Sequence, residues 1–360
     1  MPPDSSAQMM ALRVWRSLLA TQEVLTIYLG VRLGLYDELD RGGPATAGDL
    51  AARAGIAVRY AVEWLEQQAV AGLLRVDDPA KPAEDRRYEL PPGHATVLRV
   101  SDHPLSMSAL AVLPLGGVAR ALPDLLAAYR DGGGVPDSAY GVDWREGHAG
   151  ANRALFAHQL AGWIARYAPD VHARLQVPGA RVADIACGAG WSTIALARAY
   201  PRLRLDGLDL DAETVADARR NAAGHGVADR IAFQVRDAAD PALAGTYDLV
   251  CLFDALHEIA RPVEVLRACR ALRAPGGCVL VLDAKVADAF TAPADDIERF
   301  QYATSVLHCL PACLSGPDSA GTGTVLRQGM VRAFATGAGF ADVRALPVDD
   351  RFHRLYRLHG

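Results

Sequence analysis

The sequence predicts a two-domain chain: a helical first half, then an α/β half built on a largely parallel sheet. Apolar residues recur at helical spacing from about Leu12 to Leu73, and from Arg181 onward strand-like and helix-like segments alternate. The chain of 360 residues is also longer than one ordinary core organises. Residues 1–150 are assigned to the helical domain with its connector, and residues 151–360 to the α/β domain.

Composition narrows the function. Hydrophobic residues at 51% and charged residues at 22% mark a globular protein. No run of about 18 uncharged apolar residues occurs, and the opening MPPDSSAQMM lacks the basic-then-apolar order of a signal peptide, so a cytoplasmic protein without a membrane partner is expected. A net charge of −5 supplies no basic surface for a polyanion, so nucleic acid is not an expected partner. The six cysteines are scattered, several inside strand-like apolar runs where a thiol packs as a small hydrophobe, and disulfides are not expected. His308, Cys309 and Cys313 make the one suggestive metal cluster, but three soft ligands without a fourth at metal-like spacing leave no metal expected.

In the helical half, Thr46 followed by Asp49 reads as a capping box opening a helix through Ala54. Gly55 turns the chain into a second helix, Val58 to Ala71, with Val58, Val62, Leu65 and Val70 as its apolar stripe. Leu73 to Val76, a polar turn and Tyr88-Glu89-Leu90 then form a small hairpin, and the whole unit reads as a winged helix. DNA binding is the function such a unit suggests, but the second helix offers only Arg59 beside Glu63 and Glu66. A winged helix reused for dimerisation fits that charge balance better. Ser101 to Tyr129 continues as mostly helical chain broken by Pro114 and Pro123, and Asp131-Gly-Gly-Gly-Val-Pro136 ends the pattern. Leu155, Phe156, Leu160, Trp163, Ile164 and Tyr167 then share one helix face leading into the second domain.

The α/β half offers strands at Arg181 to Ile185, Leu203 to Leu208, Ile231 to Val235, Tyr247 to Phe253 and Cys278 to Leu282. Asp211 to Gly224 and Pro262 to Leu272 are covering helices, and Val343 to Val348 with His353 to His359 read as a closing antiparallel pair. After the first strand, Gly188 and Gly190 permit a tight turn and close approach of a nucleoside. A dinucleotide loop would need glycine where Thr193 stands, so pyrophosphate binding loses support. Asp209 ends the second strand where a carboxylate can accept from both hydroxyls of a ribose, and Asp237 follows the third strand at the same edge.

On these residues the segment from about Arg181 to the C-terminus resembles the class I S-adenosylmethionine-dependent methyltransferase domain, a Rossmann-like seven-stranded fold. The whole chain resembles two-domain actinobacterial methyltransferases of small molecules, with a winged-helix-like dimerisation domain in front. The resemblance implies that Asp184 to Gly190 form the loop for S-adenosylmethionine, with Ala186 at the family's first glycine, tolerable if its φ is negative. It further implies that Asp209 and the adjoining Leu210 meet the ribose side, and Asp237 with Ala238 the adenine. Phe253 lines the cofactor after the fourth strand. S-adenosylhomocysteine would be the product.

His257, just past the fourth strand, matches the general base of related plant-type O-methyltransferases; the alternative is that it only packs beneath a lid. Glu258 either orients that imidazole or is a solvated acid at a helix start. The stretch 284–326 departs from helix-strand regularity and reads as a lid carrying Tyr302 and His308. Tyr140, Trp144 and Phe156 form the opposite acceptor wall or plain core. The expected reaction is methyl transfer to a small natural-product acceptor, at oxygen by preference, by a homodimer. Transfer to nitrogen or carbon, a non-methylating enzyme that keeps the cofactor, and a DNA-binding regulator remain as other readings.

Overall fold

The computed structural model describes residues 5–100, 102–240 and 245–360 and groups them into two compact units. Of the described residues, the first comprises 5–100, 102–117 and 142–154, and the second 118–141, 155–240 and 245–360. Ser101, the expected start of one helical stretch, lies outside the described residues.

The first unit opens with a 28-residue helix, Ser5–Arg32, in which Gly30 alone is buried. A Cβ at Gly30 would lie 2.5 Å from the Tyr36 ring, so glycine lets helix Leu35–Gly42 pack there. The capping box forms as expected: Thr46 accepts from the Asp49 amide, Asp49 accepts from the Thr46 amide, and helix Ala47–Ala54 ends at Gly55 in a left-handed turn. Helix Val58–Val70 follows, but its buried face is Ala61, Trp64, Leu65 and Gln68. The expected stripe is therefore corrected: Val58 and Val70 are exposed, because the Trp64 ring and the Gln68 amide turn inward to meet Tyr36 and set the helix phase. Strands β1 (Arg75–Val76) and β2 (Tyr88–Glu89) pair antiparallel as the wing.

Pro114 and Pro123 do not break the chain as expected. Pro114 sits in a π-helical turn, Leu113–Val118, and Pro123 lies inside helix Ala119–Asp131. The wider turn accommodates a proline by omitting the amide bond the ring cannot make. Among the described residues, the helical run Ser108–Asp131 is one that is long and apolar enough to cross a membrane.

The second unit is built on strands β3 (Arg181–Ile185), β4 (Arg204–Asp209), β5 (Ile231–Val235), β6 (Tyr247–Phe253), β7 (Arg273–Ala284), β8 (Asp342–Leu346) and β9 (His353–His359). Their order across the sheet is β5-β4-β3-β6-β7-β9-β8, parallel from β5 to β7 and antiparallel at β9 and β8. Both faces are covered, and side chains alternate between them: Leu249, Cys251 and Phe253 join one core, while Val250 and Leu252 join the other. Successive strands are added to one side of β3 as far as β5 and to its other side from β6, so the switch point of the sheet lies at the C-terminal ends of β3 and β6, the edge where open α/β sheets hold ligands.

The stretch expected as an irregular lid is helical through its middle. Helix Asp296–Thr304 passes through a π-turn, Ser305–Cys309, into helix Leu310–Ser315, and the flanking segments, 285–295 and the Gly/Ser-rich 316–326, are irregular. Asp295 caps the first helix by accepting from the Glu298 amide, and Pro311 sits in the first turn of the last one, where its missing N–H has no consequence.

Candidate active site

The glycine turn is held from below. Asp184, fully buried on β3, accepts from the hydroxyls of Ser192 and Thr193, each at 2.6 Å, and so ties the strand to the helix Trp191–Ala199 that follows the turn. Burial pushes its carboxyl up to about 6, against the pull of those two hydroxyls. The side chain points into the core and bears on a ligand only through the loop it shapes.

Ala186 departs from expectation. Its φ is 51°, in the left-handed region, and not the negative φ at which alanine replaces glycine without strain. The methyl group is held there because the turn that follows is fixed by the Cys187 amide on the Leu208 carbonyl and the Gly190 amide on the Cys187 carbonyl. Gly188, with φ 54°, has open space where a side chain would stand, whereas a Cβ at Gly190 would lie 2.7 Å from the Phe233 ring. One glycine thus leaves room for a ligand and the other for the protein's own core.

Asp209 reaches back to this turn. One oxygen accepts from the Gly188 amide at 2.8 Å and the other from the Asp211 amide at 3.0 Å, and burial raises its pKa against those bonds. Leu210, next in line, is 68% exposed at the sheet edge. The Arg236 amide bonds the Asp209 carbonyl, so Asp237 stands at the end of the neighbouring strand. Asp237 accepts from the Ala239 amide and from Arg261 at 3.0 Å, while Ala238 packs on the second core. Gly188, Asp209 and Asp237 therefore share one edge, and each carboxylate oxygen keeps a lone pair for a further donor.

Across the switch point, Phe253 ends β6 in contact with the Phe156 ring, 6.1 Å between centroids. The chain then turns through Asp254, φ 55°, into the segment bearing His257. His257 is almost fully buried; its amide donates to Asp283 at 3.2 Å and its Nδ1 pairs with the same carboxylate at 2.9 Å. Burial disfavours the imidazolium, but Asp283 outweighs it and, with Cys309, holds the His257 pKa well above the ordinary histidine value. Because Asp283 holds Nδ1, the other ring nitrogen, Nε2, faces Glu258 at 3.5 Å.

Glu258 is not a solvated acid at a helix start. It lies in a turn before the helix Pro262–Leu272, its carboxylate mostly covered, because His308 of the π-turn comes down on it at 3.2 Å. His308 is itself buried, bonded through Nε2 to Asp137 at 2.7 Å and met edge-on by Tyr140, whose hydroxyl donates to the Leu307 carbonyl. Burial opposes charge on His308 too, and Glu258, Asp137 and Cys309 raise its pKa well above the ordinary value.

Of the expected acceptor wall, Tyr140, Phe156 and His308 thus lie in this unit. Tyr302 accepts from Arg327 at 3.0 Å beside Glu298 and is tied into the lid helix. Trp144 belongs to the first unit, where it packs on Gly117 and stacks on His148. Sequence reasoning missed Asp283 and Asp137. Asp283 sits near the C-terminal end of a central strand, the same signal that identified Asp209, whereas Asp137 follows an irregular glycine run that carries no pattern.

Residues 182–277 match a methyltransferase domain, and residues 21–99 match the Rv2258c-like winged HTH domain. A ubiquinone biosynthesis O-methyltransferase of Xanthomonas axonopodis pv. citri (strain 306) is 35% identical over 109 residues, 30% of this chain and 44% of that protein. The chain thus spans less than half the length of that curated relative. Among solved structures, mitomycin 7-O-methyltransferase MmcR aligns with a TM-score of 0.72 and 21% identity over 99% of both chains. PigF with SAH aligns with a TM-score of 0.71 and 21% identity over 97% of this chain and 99% of that one. At such identities these two likenesses speak for the fold. The chain joins a winged HTH domain of the Rv2258c-like type to a methyltransferase domain of Rossmann-like, seven-stranded fold.

Proposed function

We propose that this chain is an S-adenosylmethionine-dependent methyltransferase that methylates a hydroxyl of a small, natural-product-like acceptor. The observation that carries the reading is the pairing of two features on one sheet: the Gly188–Asp209–Asp237 edge, and the buried His257 held by Asp283 across the switch point. The curated relative, named as a ubiquinone biosynthesis O-methyltransferase, supports oxygen as the target.

S-adenosylmethionine, when bound, supplies an electrophilic methyl group on a sulfonium. The open face of Gly188 admits a ligand to the turn, Asp209 accepts from ribose hydroxyls with its free lone pairs, and Leu210 offers an apolar face beside it. Asp237, steadied by Arg261, accepts from an exocyclic amine. Asp283 fixes Nδ1 of His257, so Nε2 is the nitrogen left to take the acceptor's proton; because Asp283 and Cys309 favour the imidazolium, only the neutral fraction of His257 acts as the base, and the methylation rate is expected to rise with pH above neutrality. Alignment and exclusion of water by the lid helices supply the remainder of catalysis.

The winged-helix unit serves dimerisation rather than DNA. Arg59, the one cation on the second helix suited to a base edge, is paired with Glu63 on the same surface. A cytoplasmic homodimer acting on a diffusible acceptor is the reading that results.

Calorimetric titration with S-adenosylmethionine tests the cofactor site, and Asp209→Ala is expected to weaken binding by ~10-fold or more through loss of charge-assisted hydrogen bonds. With an accepted substrate, His257→Gln is expected to lower kcat by about 10²–10⁴ while leaving cofactor affinity unchanged. Wild-type protein that binds no S-adenosylmethionine sinks the reading; a fully active His257→Gln removes the base.

A further inference from the structure

Cys309 was grouped in the sequence with His308 and Cys313, but Cys313 turns away. Its thiol is engaged by Ser319, Thr322 and the Ile259 carbonyl. Cys309 instead faces His257 and Glu258, and one ligand atom from each of these three residues lies within 4.8 Å of the other two. His257 and Cys309 are buried and Glu258 is mostly covered, so this is an interior cluster and not a solvated acidic patch. Ligand atoms of a tetrahedral ion stand about 3.3–3.6 Å apart given bonds of about 2.0–2.3 Å, and His257 Nε2 to Glu258 Oε1, at 3.5 Å, already matches that separation.

The outer contacts are those a metal site needs. Asp283 holds Nδ1 of His257 and leaves Nε2 facing the cluster; Asp137 holds Nε2 of His308 and leaves Nδ1 facing the same Glu258 oxygen at 3.2 Å. Carboxylates that fix the far nitrogen of a ligating imidazole are the usual support of bound zinc.

We propose that His257 Nε2, Glu258 and Cys309 form a binding site for a thiophilic divalent cation of the zinc class, with His308 Nδ1 placed to complete the coordination. Its bearing on catalysis rests on the reading of His257 as the base: a bound cation occupies Nε2 and competes with the acceptor's proton. Binding itself does not depend on that reading.

The test uses the full chain, freed of metal with a chelator and titrated with Co²⁺ as the probe, without acceptor or S-adenosylmethionine. The expected result is one Co²⁺ per chain with a thiolate-to-cobalt charge-transfer band in the near ultraviolet, displaced by one equivalent of Zn²⁺. Cys309→Ser is expected to abolish the band and Cys313→Ser to retain it, with circular dichroism confirming that both variants are folded. The proposal is overturned by a folded wild type that gives no thiolate band, or by a band that survives in Cys309→Ser. Neither result bears on cofactor affinity, and an inactive enzyme that gives the band leaves the site standing.

Discussion

Ala186 carries a methyl group at φ 51°, where an L-residue is strained by about 1–2 kcal/mol relative to glycine. Glycine there relieves that strain but gives up packing on the second core and about 0.4–1 kcal/mol of unfolded-state entropy. Ala186→Gly is therefore expected to be neutral or stabilising by up to about 0.5 kcal/mol, whereas Ala183→Gly, in the buried strand just before, costs about 1 kcal/mol or more. Urea midpoints of the two variants check this, and equal destabilisation of both removes the claim of strain. Beside it, Asp184 has a carboxyl raised to about 6 in the fold from 3.8. The native state binds that proton more tightly than the unfolded chain, so this residue's contribution to stability falls as pH rises from about 4 to about 6 and is level above. A shift of about two units corresponds to about 3 kcal/mol. Relative to wild type, Asp184→Asn should gain about that much between pH 4 and pH 7 in denaturant titrations. Parallel curves for the two proteins contradict the assignment.

At the scale of elements, the connector and the lid determine whether the acid-base cluster assembles. Gly134 lies against the backbone of the helix Leu310–Ser315, where an added Cβ would sit 2.0 Å from the Ser315 nitrogen, and the next residue, Val135, donates to the Pro311 carbonyl at 2.9 Å. Two residues further on, Asp137 meets His308. Gly134→Ala must push the connector away and pull Asp137 with it, and a displacement of about 1 Å near reacting groups can cost ~10²-fold in rate. The expected outcome is a fall in kcat of ten-fold or more with S-adenosylmethionine affinity unchanged; unaltered kcat sinks this role for the connector. Such elements mark the limit of what the sequence disclosed. The strands around Asp184, Asp209 and Phe253 were legible because short apolar runs, glycines and terminal acids each leave a local mark. The π-turn bearing His308, the phase of the helix Val58–Val70 and the left-handed Ala186 were not, because each is decided by a partner distant in sequence: Asp137 and Glu258, Tyr36, and the Leu208 carbonyl.

For the whole molecule, the question is what covers the first helix. Ser5–Arg32, about 42 Å long at 1.5 Å per residue, presents Met9, Leu12, Val14, Trp15, Leu18 and Leu19 at roughly half exposure or more, with Trp15 at 61%. Apolar residues lie around its outer turns and not along one stripe, an arrangement that suits a helix surrounded by protein. A contiguous apolar surface of this kind is rare on a stable monomer and marks an interaction surface. A second copy is the occupant that needs no other molecule, since a two-fold axis places the same helix opposite itself. Light scattering on the eluting protein should then report twice the 38.3 kDa of the chain at micromolar concentration. Trp15→Glu combined with Leu19→Glu buries two charges per protomer at the interface without partners, a penalty of several kcal/mol, and should return a monomer. A wild type that elutes as a stable monomer, or a double variant that stays dimeric, would place the pairing surface elsewhere.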